Sequence, residues 1–210
     1  MNIELNNIKP NYMSEAEISA SDIYLQKSIL FEKEKLYLIK AGSGRGKTSL
    51  LNFIYGMNLN YSGTIRYPMH SSFMSFFDLR KDKLSYMFQD FKLFQNLTTF
   101  ENIKIKNSIT NHKTDREIIE LITKVGLKDK INTEITKLSL GQRQRIALIR
   151  AVCQPFDFIL MDEPFSHLDN ENIKIATEII NTELNKNRAG LILCTLENEY
   201  YFNYHKKYKL

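Results

Sequence analysis

The sequence predicts an α/β fold organised around a mainly parallel sheet. Three observations point there. Strand-sized apolar runs alternate with helix-length amphipathic segments in both halves of the chain. A strand-like run, a glycine loop and a helix-like run follow one another over residues 36–56, and a later apolar run ends abruptly in two acids, Asp162 and Glu163.

Taken in order, LYLIK (36–40) reads as a buried strand, and TSLLNFIY (48–55) as a helix that stops at Gly56. Residues 92–137 carry helix signals but no clear strand, so they read as a helical insert. Within them Thr114 and Glu117 make a capping-box pair, and Ile118, Ile119, Leu121, Ile122 and Val125 trace an apolar helix face that ends at Gly126. Ser139 is the expected N-cap of a helix running to about Val152 and closed by Pro155. FDFILM (156–161) reads as a strand. Asn170 to Asn187 has apolar residues at 173, 176, 180 and 184, a helical spacing, and LILCT (191–195) is the next strand. There is no internal repeat and no linker-like tract, and the prolines stand apart at 10, 68, 155 and 164, so one continuous domain is expected.

Composition bounds the function. A chain of 210 residues with 43% hydrophobic content can bury a sizeable core as one domain. No run approaches the roughly 18–20 apolar residues of a membrane span. The opening MNIELNNIKPNY has neither a basic leader nor an apolar core of the secretory kind, so a cytoplasmic location is expected. The net charge of +5 comes from basic and acidic residues that are interspersed, which favours a solvated surface over a nucleic-acid site; no nucleic-acid partner is expected, and the basic tail HKKYK (205–209) is too short to argue one. Cys153 and Cys194 lack metal or redox spacing and read as small buried hydrophobes.

The segment AGSGRGKTS (41–49) is close to the phosphate-binding pattern GxxxxGK[ST] and sits between a strand and a helix, as that pattern requires. Gly42, Gly44 and Gly46 let the loop, with Ser43 and Arg45, turn its amides inward as an anion nest, and the following helix start adds its positive end. Lys47 would reach the terminal phosphates of a nucleotide and Thr48 would offer a hydroxyl to Mg²⁺, with Ser49 in the same first turn. Ala41 stands where the pattern has its first glycine. If that position needs a positive φ, the Cβ costs about 1 kcal/mol and Gly42 must absorb the strain. Asp162, at the strand end, would hold the metal, and Glu163 would orient or deprotonate an attacking water.

KLSLGQRQRIALIRA (137–151) resembles the signature of the ATP-binding cassette family, with Ser139, Gly141 and Gln142 matching and Leu140 in place of a glycine. Gln89, in SYMFQDFKLFQNLTTFEN, resembles that family's Q-loop glutamine, and SHLD (166–169) its D-loop, ending at Asp169. The resemblance covers nearly the whole chain, keeps the motif order, and is most detailed toward the branch of lipoprotein release, macrolide or peptide export and cell division. It implies a phosphate-loop nucleotide-binding fold with N-terminal antiparallel strands, a core of residues 1–91 and 139–210, and a helical subdomain at about 92–138. It also implies ATP and Mg²⁺ as cofactors, the latter touched by Thr48, Gln89 and Asp162, and Glu163 and Gln89 as catalytic residues. Ser139, Gly141, Gln142 and Asp169 then serve ATP across a head-to-tail dimer, with the same chain or a related one, which drives an integral membrane permease. Tyr12 lies about where the family stacks a ring on adenine, and Tyr24 competes for that role. Where the family has a histidine after the last core strand this chain has Leu196, which offers no hydrogen-bond donor. Ala41, Leu140 and Leu196 together leave open a second reading, a nucleotide-gated regulatory module with little hydrolysis; the retained Glu163 speaks against it.

Overall fold

The computed structural model of the chain describes residues 1–68 and 75–210. Its elements in chain order are β1 (Ile3–Pro10), α1 (Glu15–Ser19), β2 (Ser28–Phe31), β3 (Leu36–Lys40), α2 (Lys47–Ile54), β4 (Tyr61–Arg66), α3 (Phe76–Asp82) and β5 (Leu84–Met87). There follow α4 (Thr99–Ser108), α5 (Asp115–Lys124), two 3-10 turns at Lys128–Lys130 and Ile135–Lys137, α6 (Leu140–Val152), β6 (Phe158–Asp162), α7 (Asn170–Asn187), β7 (Gly190–Thr195) and β8 (Lys206–Lys209).

Two sheets form. The smaller is antiparallel, in the order β2-β1-β4; the larger is parallel, in the order β5-β6-β7-β3-β8. β6 and β7 are buried along their whole length, which explains why FDFILM and LILCT are continuous apolar runs and not alternating ones. One face of the parallel sheet packs on α4, α5, α6 and α7 through residues such as Leu38, Ile103, Ile146 and Ile180. The other face packs on α2 and the small sheet through Ile39, Leu50, Phe53, Phe31 and Ile192.

The edges of the large sheet differ. β5 is buried at every position, and Ser85 donates to the Ala151 carbonyl at 2.5 Å, tying that strand to the end of α6. β8, read from sequence only as a basic tail, is the opposite edge, with Tyr208 turned into the core and Lys206, Lys207 and Lys209 exposed. Between β5 and α6 the chain is helical, with an isolated bridge between Thr98 and Glu134. This segment is pinned to α7 by a buried ion pair, Lys113 Nζ to Glu183 Oε2 at 2.8 Å. The Asn107 side chain holds the Lys113 backbone from both sides, donating to its carbonyl at 2.7 Å and accepting from its N–H at 2.9 Å.

Burial pushes the Cys153 thiol up to about 12 and the Cys194 thiol well above its usual value, so both are inert core residues. Among the described residues no helix is long and apolar enough to cross a membrane.

Candidate functional site

Because β3, β5, β6 and β7 run parallel, their C-terminal ends share one rim of the sheet, the place where open α/β sheets bind ligands. The loop after β3, Gln89 after β5, Asp162–Glu163 at the end of β6 and Leu196 after β7 all emerge there. They surround a cleft of about 790 Å³ lined by Tyr12, Ser43, Gly44, Gly46, Lys47 and Thr48 and by Gln89, Glu163 and Leu196 among others.

The loop is built as the sequence suggests. Gly46 caps α2 with φ +86°, a left-handed angle that favours glycine; a Cβ there would also come within 2.5 Å of the Met13 terminal methyl, which would have to swing aside. Gly44 is also left-handed, at φ +74°. Ala41 is not among the left-handed residues, and neither is Gly42. The strain considered for Ala41 therefore does not arise, and its methyl group simply packs, only 6% exposed.

At the foot of the cleft four side chains meet. Lys47 Nζ donates to the carbonyls of Ala41 at 2.8 Å and Gly42 at 3.0 Å, and lies 3.4 Å from Glu163 Oε1. Thr48 Oγ1 donates to Asp162 Oδ2 at 2.5 Å. Asp162 Oδ1 is buried without a hydrogen-bond partner among the described residues. Burial raises the Asp162 pKa above its ordinary value, helped by the neighbouring Glu163 charge and opposed by the Thr48 hydroxyl. Glu163 itself is 7% exposed and left-handed, at φ +48°, a strained conformation for a residue with a Cβ.

That backbone is held by Gln144, which lies on α6 and is fully buried. Its Nε2 donates to the Glu163 carbonyl and to Ser166 Oγ, each at 3.2 Å, and its Oε1 accepts from the His167 N–H at 2.9 Å. Arg150, also on α6, donates to the carbonyls of Phe91 and Lys92, two consecutive left-handed residues just beyond Gln89. Burial lowers the Arg150 pKa to about 10. Helix α6 thus fixes two of the loops that border the cleft, those after β5 and β6.

The remaining sequence candidates divide. Tyr12 is 51% exposed on the cleft wall, whereas Tyr24 is 1% exposed and packs in the core, leaving no face open to a ligand. Gly42 and Arg45 are exposed outside this cleft, Arg45 lining a separate small pocket beside Met13 and Tyr24, and Asp162 is buried beneath the lining, bonded to Thr48. Ser139, Gly141, Gln142 and Asp169 lie outside this cleft. Ser139 caps α6 and Gln142 returns its side-chain oxygen to the Ser139 N–H at 2.9 Å, so the Gln142 carboxamide serves its own helix end. Gly141 packs on the following loop, where a Cβ would sit 2.7 Å from the His167 carbonyl. Asp169 caps α7 by accepting from the Asn172 N–H at 2.8 Å. Beside the expected residues the cleft is lined by Asn52, one helical turn beyond Thr48, and by Tyr86, Phe88, Asp90, Lys92 and His167. Asn52 was within reach of the helical repeat; Asp90, Lys92 and His167 fall inside the motif stretches around Gln89 and Asp169, without a role of their own assigned from sequence.

Residues 26–166 match the ABC transporter family. The chain belongs to that family. The ATP-binding cassette so identified is 35% identical over 167 residues to the lipoprotein-releasing system ATP-binding protein of Buchnera aphidicola subsp. Schizaphis graminum, covering 76% of this chain and 72% of that one. That relative belongs to the branch the motifs resemble. The present chain is also 29% identical over 183 residues, 83% of each chain, to an ATP-binding protein of Staphylococcus aureus named for hemin import. The fold is shared with an ATP-binding cassette solved as a dimer in a post-hydrolysis state with ADP and Pi, at TM-score 0.74 and 23% identity over 93% of this chain and 88% of that one.

Proposed function

We propose that this cassette hydrolyses MgATP as the ATPase subunit of a transporter, closing head to tail on a second cassette and driving an integral membrane permease from the cytoplasmic face of the membrane. The observation that carries this reading is the convergence of Lys47, Thr48, Asp162 and Glu163 at the foot of one cleft.

In this reading the amides of residues 42–46 and the start of α2 hold the phosphates, with Lys47 on the terminal ones and Ser49 beside them. Tyr12 offers its exposed ring to the base. Thr48 and Asp162 suit Mg²⁺: both present hard oxygen atoms, and the unpartnered buried Asp162 Oδ1 is a carboxylate oxygen in need of a cation. Gln89, exposed at the rim, would complete the set. When bound, the ion neutralises charge on the phosphates. Glu163 takes the proton of the attacking water, and Gln144 keeps its strained backbone in place. Ser139, Gly141 and Asp169 present the exposed end of α6 and its neighbouring loop to ATP on the second cassette, a copy of this chain or a related subunit, while Gln142 supports them as a cap. Residues of about 92–138 act as the helical subdomain that relays closure to the permease.

Steady-state ATPase measurement on the native chain and Glu163→Gln tests the proposal. Turnover should fall about 100-fold or more in the variant while ATP binding, followed by calorimetry, persists. Equal turnover in both, or a folded native chain that binds no MgATP, overturns it.

A further inference from the structure

The foot of the cleft lacks one element that phosphoryl chemistry uses. Among the described residues Glu163 Oε1 is buried with only the Lys47 ammonium near it, at the long distance of 3.4 Å, and the residue after β7 that lines the same cleft, Leu196, is 49% exposed and has nothing to donate. A carboxylate acting as a base, and the charge that develops on the transferring phosphoryl group, both benefit from a fixed donor beside them. Two cationic donors that line the cleft are already committed: Lys47 Nζ is bound to two carbonyls and lies 3.4 Å from Glu163, and Lys92 Nζ pairs with Asp90 at 2.7 Å.

Resting on the ATPase reading, we propose that His167 supplies this donor, as a catalytic residue whose imidazole serves the reacting end of the nucleotide in place of the side chain that Leu196 cannot provide. His167 is the one imidazole lining the cleft among the described residues. Its place is fixed on three sides. Its backbone N–H is held by Gln144 at 2.9 Å, its ring meets Phe91 edge-on with centroids 6.1 Å apart, and its carbonyl lies where Gly141 leaves room for it. The bonds that fix it go to the backbone; among the described residues neither ring nitrogen is engaged, so the imidazole is free to donate or accept. It also shares the Gln144 carboxamide with Glu163, so any shift of α6 carries acid-base residue and donor together.

The test is a four-way comparison of the full chain: native, His167→Ala, Leu196→His and the doubly substituted form. His167→Ala should lower kcat about 100-fold with KM and ATP affinity little changed, since an interaction made in the transition state is lost. Leu196→His should restore the His167→Ala chain to within about tenfold of native and add little to the native one, because the two positions supply the same group. A structural role for His167 would give neither the split nor the rescue. A second readout needs no turnover. In Glu163→Gln, the imidazole resonance that His167→Ala removes should shift on adding MgATP, while those of His112 and His205 stay. Unchanged kcat in His167→Ala, a loss that Leu196→His does not repair, or a resonance indifferent to MgATP overturns the assignment. The ATPase reading survives such a result as long as Glu163→Gln is inactive, and falls separately if MgATP does not bind.

Discussion

Replacing Lys113 with methionine should be among the most destabilising single changes in this chain outside the apolar core. Lys113 Nζ and Glu183 Oε2 are 2.8 Å apart, with side chains only 5% and 4% exposed. Methionine keeps the length of the stem and leaves the Glu183 carboxylate buried without its main partner. Breaking a buried pair from one side costs about 3–5 kcal/mol. Lys186 remains, 3.5 Å from Glu183 Oε1, but its side chain is 60% exposed, and pairs of that kind return at most about 1 kcal/mol. The net loss is therefore about 3 kcal/mol. Removing both charges, Lys113→Met with Glu183→Leu, should recover most of it, because a buried pair replaced by apolar side chains is close to neutral. Urea unfolding followed by circular dichroism reads this directly. With a slope of about 3 kcal/mol/M, the single variant should unfold about 1 M earlier and the double should return near the native midpoint. A single variant within about 0.3 M of native, or a double no better than the single, would refute the reasoning that desolvation governs this site.

Four further outcomes are expected. Lys47→Ala should abolish measurable MgATP binding by calorimetry while leaving the far-ultraviolet spectrum unchanged. Glu163→Gln with ATP should elute as a dimer on sizing; a persistent monomer counts against head-to-tail closure. Gln144→Leu removes the partner of the Glu163 carbonyl, Ser166 and the His167 N–H together, and should cost about 3 kcal/mol of stability at about 1 kcal/mol per bond, along with a kcat loss comparable to that of His167→Ala. Asp162 has a raised pKa, so the native state holds its proton more tightly than the unfolded chain does. Its contribution favours folding below the ordinary carboxylate range and is lost as pH rises through the raised value. Asp162→Asn should accordingly raise the melting temperature of the ligand-free chain at neutral pH while weakening its affinity for MgATP.

Much of this architecture could be read before the fold was known, for reasons visible in particular residues. LYLIK coincides with β3, and α7 spans Asn170 to Asn187 as its apolar spacing requires. Thr114 and Ser139 cap their helices as expected. Those signals are strong because the strands are buried on both faces and the caps are made by adjacent residues. β8 escaped notice because KKYK offers one apolar residue to the core, and β5 because it is four residues long and includes a buried serine. The antiparallel strands β1 and β4 were implied by family resemblance alone: β1 mixes polar residues into its run, and β4 is largely exposed. At the site, the phosphate loop and the Asp162–Glu163 pair were legible because their chemistry is local in sequence. Gln144, Arg150 and His167 were not, since their significance lies in which loops α6 touches, a fact of tertiary packing. The fate of Tyr24 was equally closed to sequence, as nothing in the chain distinguishes a core tyrosine from a stacking one.

The two borders of the large sheet carry a consequence for how the protein behaves in concentrated solution. A strand border with open amides and carbonyls is a template on which another molecule can add a strand and begin to aggregate. β5 removes that hazard by being enclosed, whereas β8 is covered only at its end, where the Lys209 N–H donates to Asp22 Oδ2 at 2.7 Å and its carbonyl accepts from the Asp22 N–H at 2.8 Å, and it carries Lys206, Lys207 and Lys209 as exposed charges. Acetylating or neutralising these lysines would therefore remove the charge that opposes strand addition along the part of β8 that Asp22 leaves open, while the cleft at the strand ends stays intact.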